Sequence, residues 1–93
     1  MYYVYILTNS RKTVLYTGST GDLEKRIYFH KRKLISGFTK KYNVDQLIYW
    51  ETYEDKEQAL DRERQIKSYS REKKSALIDA KNSTWTDLST AGV

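Results

Sequence analysis

Cysteine and proline are absent from this sequence of 93 residues, which contains only one histidine and four glycines. The absence of cysteine excludes a disulfide scaffold and every zinc or iron–sulfur site with cysteine ligands. The single histidine leaves too few ligands for a histidine-rich metal site. No apolar run approaches the roughly 18–20 residues of a membrane span, and the N-terminus lacks the basic start and long apolar stretch of a signal peptide. These absences predict a soluble, cytoplasmic protein with no membrane partner.

The composition is that of one small folded domain. Hydrophobic residues make up 39% of the chain and aromatic residues 14%, which is enough to build a core and too much for a disordered chain. A domain of this size buries only about 60–65% of the surface of its unfolded chain, so the core must be thin.

The charge is positive and unevenly distributed. The net charge is +5, from 17 basic and 12 acidic residues. Seven basic residues and no acidic residue lie between Lys25 and Lys41, and a second basic segment runs from Arg62 to Lys74. Such segments are typical either of a solvated surface or of a surface that meets a polyanion.

The pattern of residues predicts an α/β (α+β) sandwich, in which a three-stranded antiparallel β-sheet is flanked by helices. The predicted strands are residues 2–8, 13–17 and 47–53, and the predicted helices are residues 22–35, 56–69 and 71–81, with a loop at 36–45. We predict a domain over residues 1–81 and a C-terminal tail over 82–93 that docks through Trp85 and Leu88.

The first two strands form a predicted hairpin that brings two tyrosines together. A turn between residues 10 and 11 places Tyr5 directly opposite Tyr16 on one face. In the first helix, Leu23, Ile27 and Leu34 share an apolar stripe with the histidine. We expect this helix and the second one to pack on the face that holds the two tyrosines.

Several polar residues lie where the pattern predicts burial. Glu63 is in the middle of the apolar face of the second helix, and an ionised carboxylate there needs a partner, a metal or a water-filled cleft. Arg26 and His30 lie one turn apart on the buried side of the first helix. Each residue also has a structural interpretation: an ion pair for Glu63, a hydrogen-bonded core position for His30, an extended side chain for Arg26, and sheet packing for Tyr5 and Tyr16.

Together these residues resemble the motif of the GIY-YIG nuclease superfamily. Tyr3-Val4-Tyr5 and Tyr16-Thr17-Gly18 resemble its two name segments, and Arg26 follows Tyr16 by ten residues, at the place of the family's essential arginine. His30 stands where members carry His or Tyr, and Glu63 resembles the metal-binding glutamate that precedes an aliphatic-Lys pair. The resemblance covers about residues 2–80 and is greatest to the small stand-alone, single-domain bacterial branch.

The sequence departs from the family pattern at four places. Tyr3 replaces the first glycine, Thr17 replaces an aliphatic residue, and Ser19 replaces a lysine that some repair members carry. Asn82 is a weak candidate for an asparagine that some members place after the metal-binding glutamate. These departures concern rate and substrate contacts more than the class of reaction. Tyr3, Val4, Thr17 and Gly18 are expected to shape the motif.

The resemblance implies an endonuclease that hydrolyses DNA phosphodiester bonds with Mg²⁺ or Mn²⁺, in DNA repair or recombination and with low sequence specificity. It assigns the metal to Glu63, the charge of the phosphate to Arg26, and the attacking water to Tyr16 with support from Tyr5. His30 is expected to hydrogen-bond to a tyrosine or water. One carboxylate suits Mg²⁺, which keeps several of its waters. The sequence leaves open which residue accepts the proton of the attacking water.

The basic segments are expected to flank this cleft and contact the DNA backbone, with branched or damaged DNA among the substrates. The expected contacts are Arg32, Lys33, Lys40, Lys41, Lys67, Arg71 and Lys73. Phe38 and Tyr42 are expected either to stack on splayed bases or to pack in the core. Two alternatives stay open: a non-catalytic nucleic-acid-binding module, and a nuclease subunit that is active only with a partner protein.

Overall fold

One central strand organises the fold. The structure is a computed structural model that describes residues 1–91. Its elements are β1 (Tyr2–Thr8), β2 (Leu15–Thr20), α1 (Leu23–Lys31), α2 (Phe38–Lys41), β3 (Gln46–Tyr53), α3 (Lys56–Lys67), α4 (Arg71–Asp79) and a final 3₁₀ helix (Leu88–Ala91). The strands form an antiparallel sheet in the order β2-β1-β3. The predicted three-stranded sheet flanked by helices is therefore confirmed.

Both faces of β1 are covered. Val4 and Ile6 belong to a hydrophobic cluster with residues of α3 and α4, whereas Tyr5 and Leu7 belong to a second cluster with residues of α1. The prediction that α1 and α3 share the face of Tyr5 is thus wrong. A strand whose consecutive side chains are all apolar has two faces to bury, and each face needs its own cover.

The hairpin is longer than predicted, and its register differs by two residues. Tyr5 is opposite Gly18, and Tyr16 is opposite Leu7. The cause is a wide turn in which the side-chain oxygen of Asn9 accepts hydrogen bonds from the backbone N–H groups of residues 13 and 14. Because side chains alternate with a period of two, the shift leaves both tyrosines on the predicted face.

The first helix ends four residues earlier than predicted, at Lys31 instead of residue 35. It ends in a Schellman motif, in which Lys33 has a left-handed φ of 56° and the N–H of Leu34 bonds to the carbonyl of Phe29 at 2.9 Å. Leu34, predicted to be buried, is consequently 64% exposed. The expected loop after it contains the short helix α2.

Helix α3 is held to the sheet by a partly buried ion pair. Glu51 on β3 accepts hydrogen bonds from Arg62 at 2.9 and 3.0 Å, from Tyr53 at 2.6 Å and from Tyr49. Burial raises the pKa of Glu51, but the Arg62 guanidinium and the two tyrosine hydroxyls outweigh it and hold the pKa at about 2. The carboxylate is therefore ionised, and α3 is fixed at the residue next to Glu63.

The segment that follows α4 lies against the body of the domain. Trp85 packs on the cluster beneath α3 and α4, and Leu88 packs on the cluster beneath α1. The amide of Asn82 donates to the carbonyls of Ile48 and Thr86 at 2.9 Å each. Residues 82–91 of the predicted tail are described by the structure, and residues 92–93 lie outside the described part. Within residues 1–91, no helix has the length and apolar character needed to cross a membrane.

We expect the substitution Asn82→Ala to destabilise the domain by about 1–3 kcal/mol, because it leaves the buried carbonyl of Ile48 without that donor. Urea denaturation measures the change. The exposed neighbour Ser83 provides the control, and Ser83→Ala should change the free energy of unfolding by less than about 0.5 kcal/mol. Equal effects of the two substitutions would contradict this role for Asn82.

Candidate active site

The candidate site lies at the edge strand β2, where groups from both faces of the sheet meet. Its centre is the buried Tyr5, whose side chain passes beneath the backbone of Gly18. A Cβ atom at Gly18 would lie 2.6 Å from the Tyr5 Oη atom and 2.7 Å from Cζ, a distance that real Cβ atoms do not reach. Close approach of the tyrosine, rather than an unusual φ, therefore requires glycine at this position.

Three rings form a compact group on the α1 side of the sheet. The ring centroids of Tyr5, Tyr16 and His30 are 5.9–6.5 Å apart in each pair. Tyr5 Oη lies 3.3 Å from His30 Nε2, and His30 Nδ1 lies 3.1 Å from the hydroxyl oxygen of Thr39. Both nitrogens of His30 thus have partners, one of them a tyrosine as expected.

Burial keeps Tyr5 and His30 uncharged. Desolvation and the neighbouring Tyr16 raise the pKa of Tyr5, and the opposing effect of Arg26 is smaller. Desolvation and the positive charge of Arg26 lower the pKa of His30 below 6.5. At neutral pH, Tyr5 is therefore a phenol and His30 is an imidazole that carries no charge.

Arg26 is positioned by the first turns of α1. The side chain of Asp22 caps this helix by accepting a hydrogen bond from the N–H of Lys25 at 3.0 Å. Arg26, partly buried, lines a cleft of about 270 Å³ together with Ser19 and Lys56. The cleft joins the end of β2 to the start of α3 and holds two cationic side chains, as a site for an anion requires.

Glu63 reaches the same region from α3, on the opposite face of the sheet. Its Oε1 atom accepts a hydrogen bond from the Ser19 hydroxyl at 2.5 Å, and its Oε2 atom lies 2.6 Å from Lys67 Nζ. The Glu63 side chain is 16% exposed. Its negative charge is close enough to raise the pKa of Tyr5. The charge of Glu63 is thus offset by an ion pair one helical turn away.

The donor set fits a hydrated divalent cation. Residues 1–91 contain no cluster of three or more His, Cys, Asp or Glu side chains that would enclose a metal. A single carboxylate is nevertheless sufficient for Mg²⁺, which keeps several waters and takes one or two protein carboxylates. Lys67 is half exposed on a flexible stem, so it can leave Oε2 to a cation.

The structure thus brings Tyr5, Tyr16, Arg26, His30 and Glu63 to one edge of the sheet. Sequence reasoning missed three neighbours of these residues. Ser19 appeared only as a departure from the family, Thr39 only as one residue of the loop at 36–45, and Lys56 in no motif. Ser19 and Thr39 reach the site through contacts with Glu63 and His30, and Lys56 lines the cleft, so spacing along the chain gave no signal for these positions.

The four residues that shape the motif have distinct surroundings. Val4 is buried in the cluster beneath α3, and the ring of Tyr3 lies edge-on to Trp50 at 6.0 Å. Thr17 is buried opposite Ile6, and within residues 1–91 its hydroxyl has no hydrogen-bond partner. This position therefore suits the aliphatic residue of the family pattern. Asn82, by contrast, is taken up by backbone contacts and does not reach the site.

The predicted DNA-contacting residues do not all face this edge. Lys67 lies in the site, bonded to Glu63, and Lys40 and Lys41 project from α2. Arg71 donates to the carbonyls of residues 12 and 13 at 2.8 and 2.9 Å and so holds the hairpin turn. Lys73 lies 4.2 Å from the centre of the Tyr69 ring.

The two remaining predicted contacts lie at the end of α1. Lys33 is 4.0 Å from Asp45, and the guanidinium of Arg32 lies over the ring of Tyr28 at 5.1 Å. Both side chains are exposed to solvent, in the middle of the basic segment between Lys25 and Lys41. Their contacts are weak enough to exchange for a phosphate.

We expect Gly18→Ala to destabilise the domain by about 1–3 kcal/mol, because the new methyl group displaces the Tyr5 ring from a packed position. Thermal and urea denaturation measure this effect. Gly21→Ala is the matched control, since its Cβ atom would meet Tyr2 at an ordinary 3.4 Å. If both variants were as stable as the wild type, the close approach of Tyr5 would not be the reason for glycine at position 18.

We expect the single histidine to titrate below pH 6.5 in the folded protein and near 6.5 in urea, because burial and Arg26 disfavour its charged form. With one histidine in the chain, its ring resonances are readily followed by NMR. Arg26→Ala should move the folded midpoint upward. A folded midpoint at or above 6.5 would contradict the environment described for His30.

Comparison with known proteins places this arrangement in a family. Residues 1–76 match the GIY-YIG catalytic domain. The chain is 40% identical over 78 residues to a UPF0213 protein of Haloquadratum walsbyi, a match that covers 84% of this chain and 86% of the relative. It is 42% identical over 77 residues to a UPF0213 protein of Staphylococcus saprophyticus, covering 83% and 93%.

A solved structure agrees with this assignment. The solution NMR structure of a UPF0213 protein from Bacillus halodurans matches with a TM-score of 0.59 and 29% identity, and the match covers 100% of this chain and 99% of that one. The shared fold extends over the strands and helices that carry the candidate site. The chain therefore belongs to the GIY-YIG family and, with these relatives, to the UPF0213 proteins.

Proposed function

We propose that this protein is a divalent-metal-dependent endonuclease that hydrolyses DNA phosphodiester bonds with low sequence specificity, in DNA repair or recombination. GIY-YIG domains are generally nuclease domains, and residues 1–76 form one. The observation that carries the proposal is the meeting of Arg26 from α1 and Glu63 from α3 beside the Tyr5, Tyr16 and His30 group. These are the charges and hydrogen-bonding groups that phosphodiester hydrolysis needs.

In this reaction a water oxygen bonds to phosphorus as the bond to the 3′ oxygen breaks. The guanidinium of Arg26 binds the non-bridging oxygens, for which its planar fork is suited. Glu63 would hold Mg²⁺ or Mn²⁺, whose positive charge stabilises the leaving oxygen. Lys67, whose side chain is half exposed, would bind a phosphate of the DNA backbone when Glu63 holds the cation.

The aromatic group orients the attacking water. Tyr16 is partly exposed and presents its ring next to His30, whereas Tyr5 is fully buried. Because its pKa is raised, Tyr5 is a hydrogen-bonding support and not a base. The uncharged imidazole of His30 is able to accept a hydrogen bond or a proton at neutral pH. A neutral phenol has no site for a further proton, so the water proton passes to the imidazole of His30 or, if Tyr16 reacts as a phenolate, to the oxygen of Tyr16.

A second candidate function is nucleic-acid binding without cleavage. The observation in its favour is that both oxygens of Glu63 already have partners, Ser19 and Lys67. If these contacts persist in the presence of divalent cations, the carboxylate holds no metal. The basic residues would then bind DNA with an affinity that falls steeply with salt.

We expect the protein to nick supercoiled plasmid and to cut labelled branched DNA with Mg²⁺ or Mn²⁺, and EDTA to stop both reactions. Glu63→Gln and Arg26→Ala should each lower the rate by roughly 10²–10³-fold, because each removes a charge that stabilises the transition state. The matched controls are Glu57→Gln and Arg64→Ala, exposed residues of the same charge types on α3. They should cut like the wild type.

Three outcomes of this experiment would contradict the proposal. Equal cutting by the wild type and both site variants would indicate a contaminating nuclease. Cutting that persists in EDTA would exclude a dependence on divalent metal. No cutting by a folded protein that still binds DNA in a salt-dependent way would favour the second candidate function.

A further inference from the structure

The one buried side chain of the short helix α2 contacts the group formed by Tyr5, Tyr16 and His30. Thr39 is buried, and its hydroxyl oxygen lies 3.1 Å from His30 Nδ1. The N–H of Val44 bonds to the Thr39 carbonyl at 2.9 Å, which closes the segment behind the helix. Gly37, with a left-handed φ of 104°, turns the chain into α2. A four-residue helix is thereby held at a defined position beside the site.

This helix presents aromatic rings to solvent. Phe38 is 47% exposed and Tyr42 is 44% exposed, although apolar side chains of this size are usually buried. The Phe38 ring is stacked on Tyr16 with a centroid distance of 6.3 Å and an angle of 23° between the planes. The Tyr42 ring follows at 4.8 Å from Phe38. The rings of Tyr16, Phe38 and Tyr42 therefore form a row that leads from the candidate site to the surface.

The surroundings of this aromatic row are positively charged. Residues 25–44 contain seven Lys or Arg residues and no Asp or Glu. Lys40 and Lys41 lie on α2 itself, and neither forms an ion pair within residues 1–91. The Nζ atom of Lys41 lies 5.4 Å from the centre of the Tyr42 ring. Lys31 and Lys33 pair with Asp87 and Asp45, whereas Lys40 and Lys41 beside the exposed rings have no carboxylate partner within residues 1–91. Exposed rings next to such cations favour an anionic ligand with flat apolar faces.

We propose that the aromatic row of Tyr16, Phe38 and Tyr42 is a stacking platform for unpaired DNA bases beside the scissile phosphate, with Lys40 and Lys41 binding the adjoining backbone. Stacking is tolerant of sequence because every base has a flat face. In a duplex those faces are covered by neighbouring bases, so only single-stranded or extruded nucleotides reach the platform. The inference rests on the proposed nuclease function and deepens it, since it names DNA with unpaired nucleotides at the cut as the substrate class.

The test measures binding without cleavage, in EDTA, by fluorescence anisotropy of a labelled single-stranded oligonucleotide and of the same sequence as a blunt duplex. We expect Phe38→Ala and Tyr42→Ala each to weaken single-strand binding by roughly 5- to 100-fold and duplex binding by less than about twofold. Phe38→Tyr, which keeps a ring, should bind like the wild type. Circular dichroism confirms that each variant is folded.

The matched control is Tyr28→Ala. Tyr28 is an exposed aromatic residue with the Arg32 guanidinium over its ring, and it lies on α1 outside the row. The substitution Tyr28→Ala should leave the affinities for the single strand and for the duplex unchanged. Lys40→Ala should weaken binding of both the single strand and the duplex and reduce the dependence of binding on salt. A contact to phosphate does not distinguish the two kinds of DNA.

The outcomes separate this inference from the proposed function. If the wild type cuts DNA and the ring variants change both affinities equally or not at all, the platform is excluded and the nuclease stands. If nothing is cut but single-strand binding depends on the rings, the platform stands and the nuclease does not. Absence of binding to both oligonucleotides would overturn the inference, and the exposed rings would then be a surface for another protein.

Discussion

The burial of β1 on both faces is the constraint on which the rest of the structure depends. Val4, Tyr5, Ile6 and Leu7 are all inaccessible to solvent, and consecutive strand residues point to opposite faces. A sheet of three strands is too narrow to cover itself, so helices must pack on each side of it. Groups from the two layers can then approach each other only around an edge strand. The candidate site lies at that edge, on β2.

The edge position explains the chemistry of the site. Gly18 leaves room for the Tyr5 hydroxyl beneath the backbone of β2, and Ser19 on the next position bonds to Glu63 from the other layer. Tyr5 and His30 are neutral because they are buried, while Arg26 and Glu63 keep access to water and remain suited to charged ligands. One narrow strand thus separates the uncharged hydrogen-bonding group, with Arg26 beside it, from Glu63, the residue proposed to bind the metal.

Two contacts outside the motif keep its members in place. The ion pair between Glu51 and Arg62 fixes α3 next to Glu63. Because the pKa of Glu51 is low, the pair stays intact over the whole neutral range. The contact between Thr39 and His30 joins α2 to the group of Tyr5, Tyr16 and His30. The same short helix carries Phe38, whose ring is stacked on Tyr16, so one element both contacts His30 and contributes to the proposed stacking platform.

The sequence alone was enough to predict the class of fold, the motif, and the fact that Tyr5 and Tyr16 share one face of the sheet. Strand and helix periodicity are local, and the motif of Tyr5, Tyr16, Arg26 and Glu63 was identified by its resemblance to the GIY-YIG pattern. The Asp55 side chain caps α3 by accepting a hydrogen bond from the N–H of Gln58, a contact that depends only on neighbours in the chain. Even the hairpin error of two residues kept both tyrosines on the predicted face, since the side-chain period is two.

Tertiary structure decided what depends on contacts between distant residues. It placed α1 and α3 on opposite faces, ended α1 at Lys31 and left Leu34 exposed. It also gave Glu63 its partner Ser19, 44 residues away in the chain, and engaged Arg71 with the hairpin turn. Such contacts depend on how two faces of a thin sheet are covered at once. No local pattern of residues encodes that choice, whereas the folded chain makes it through packing.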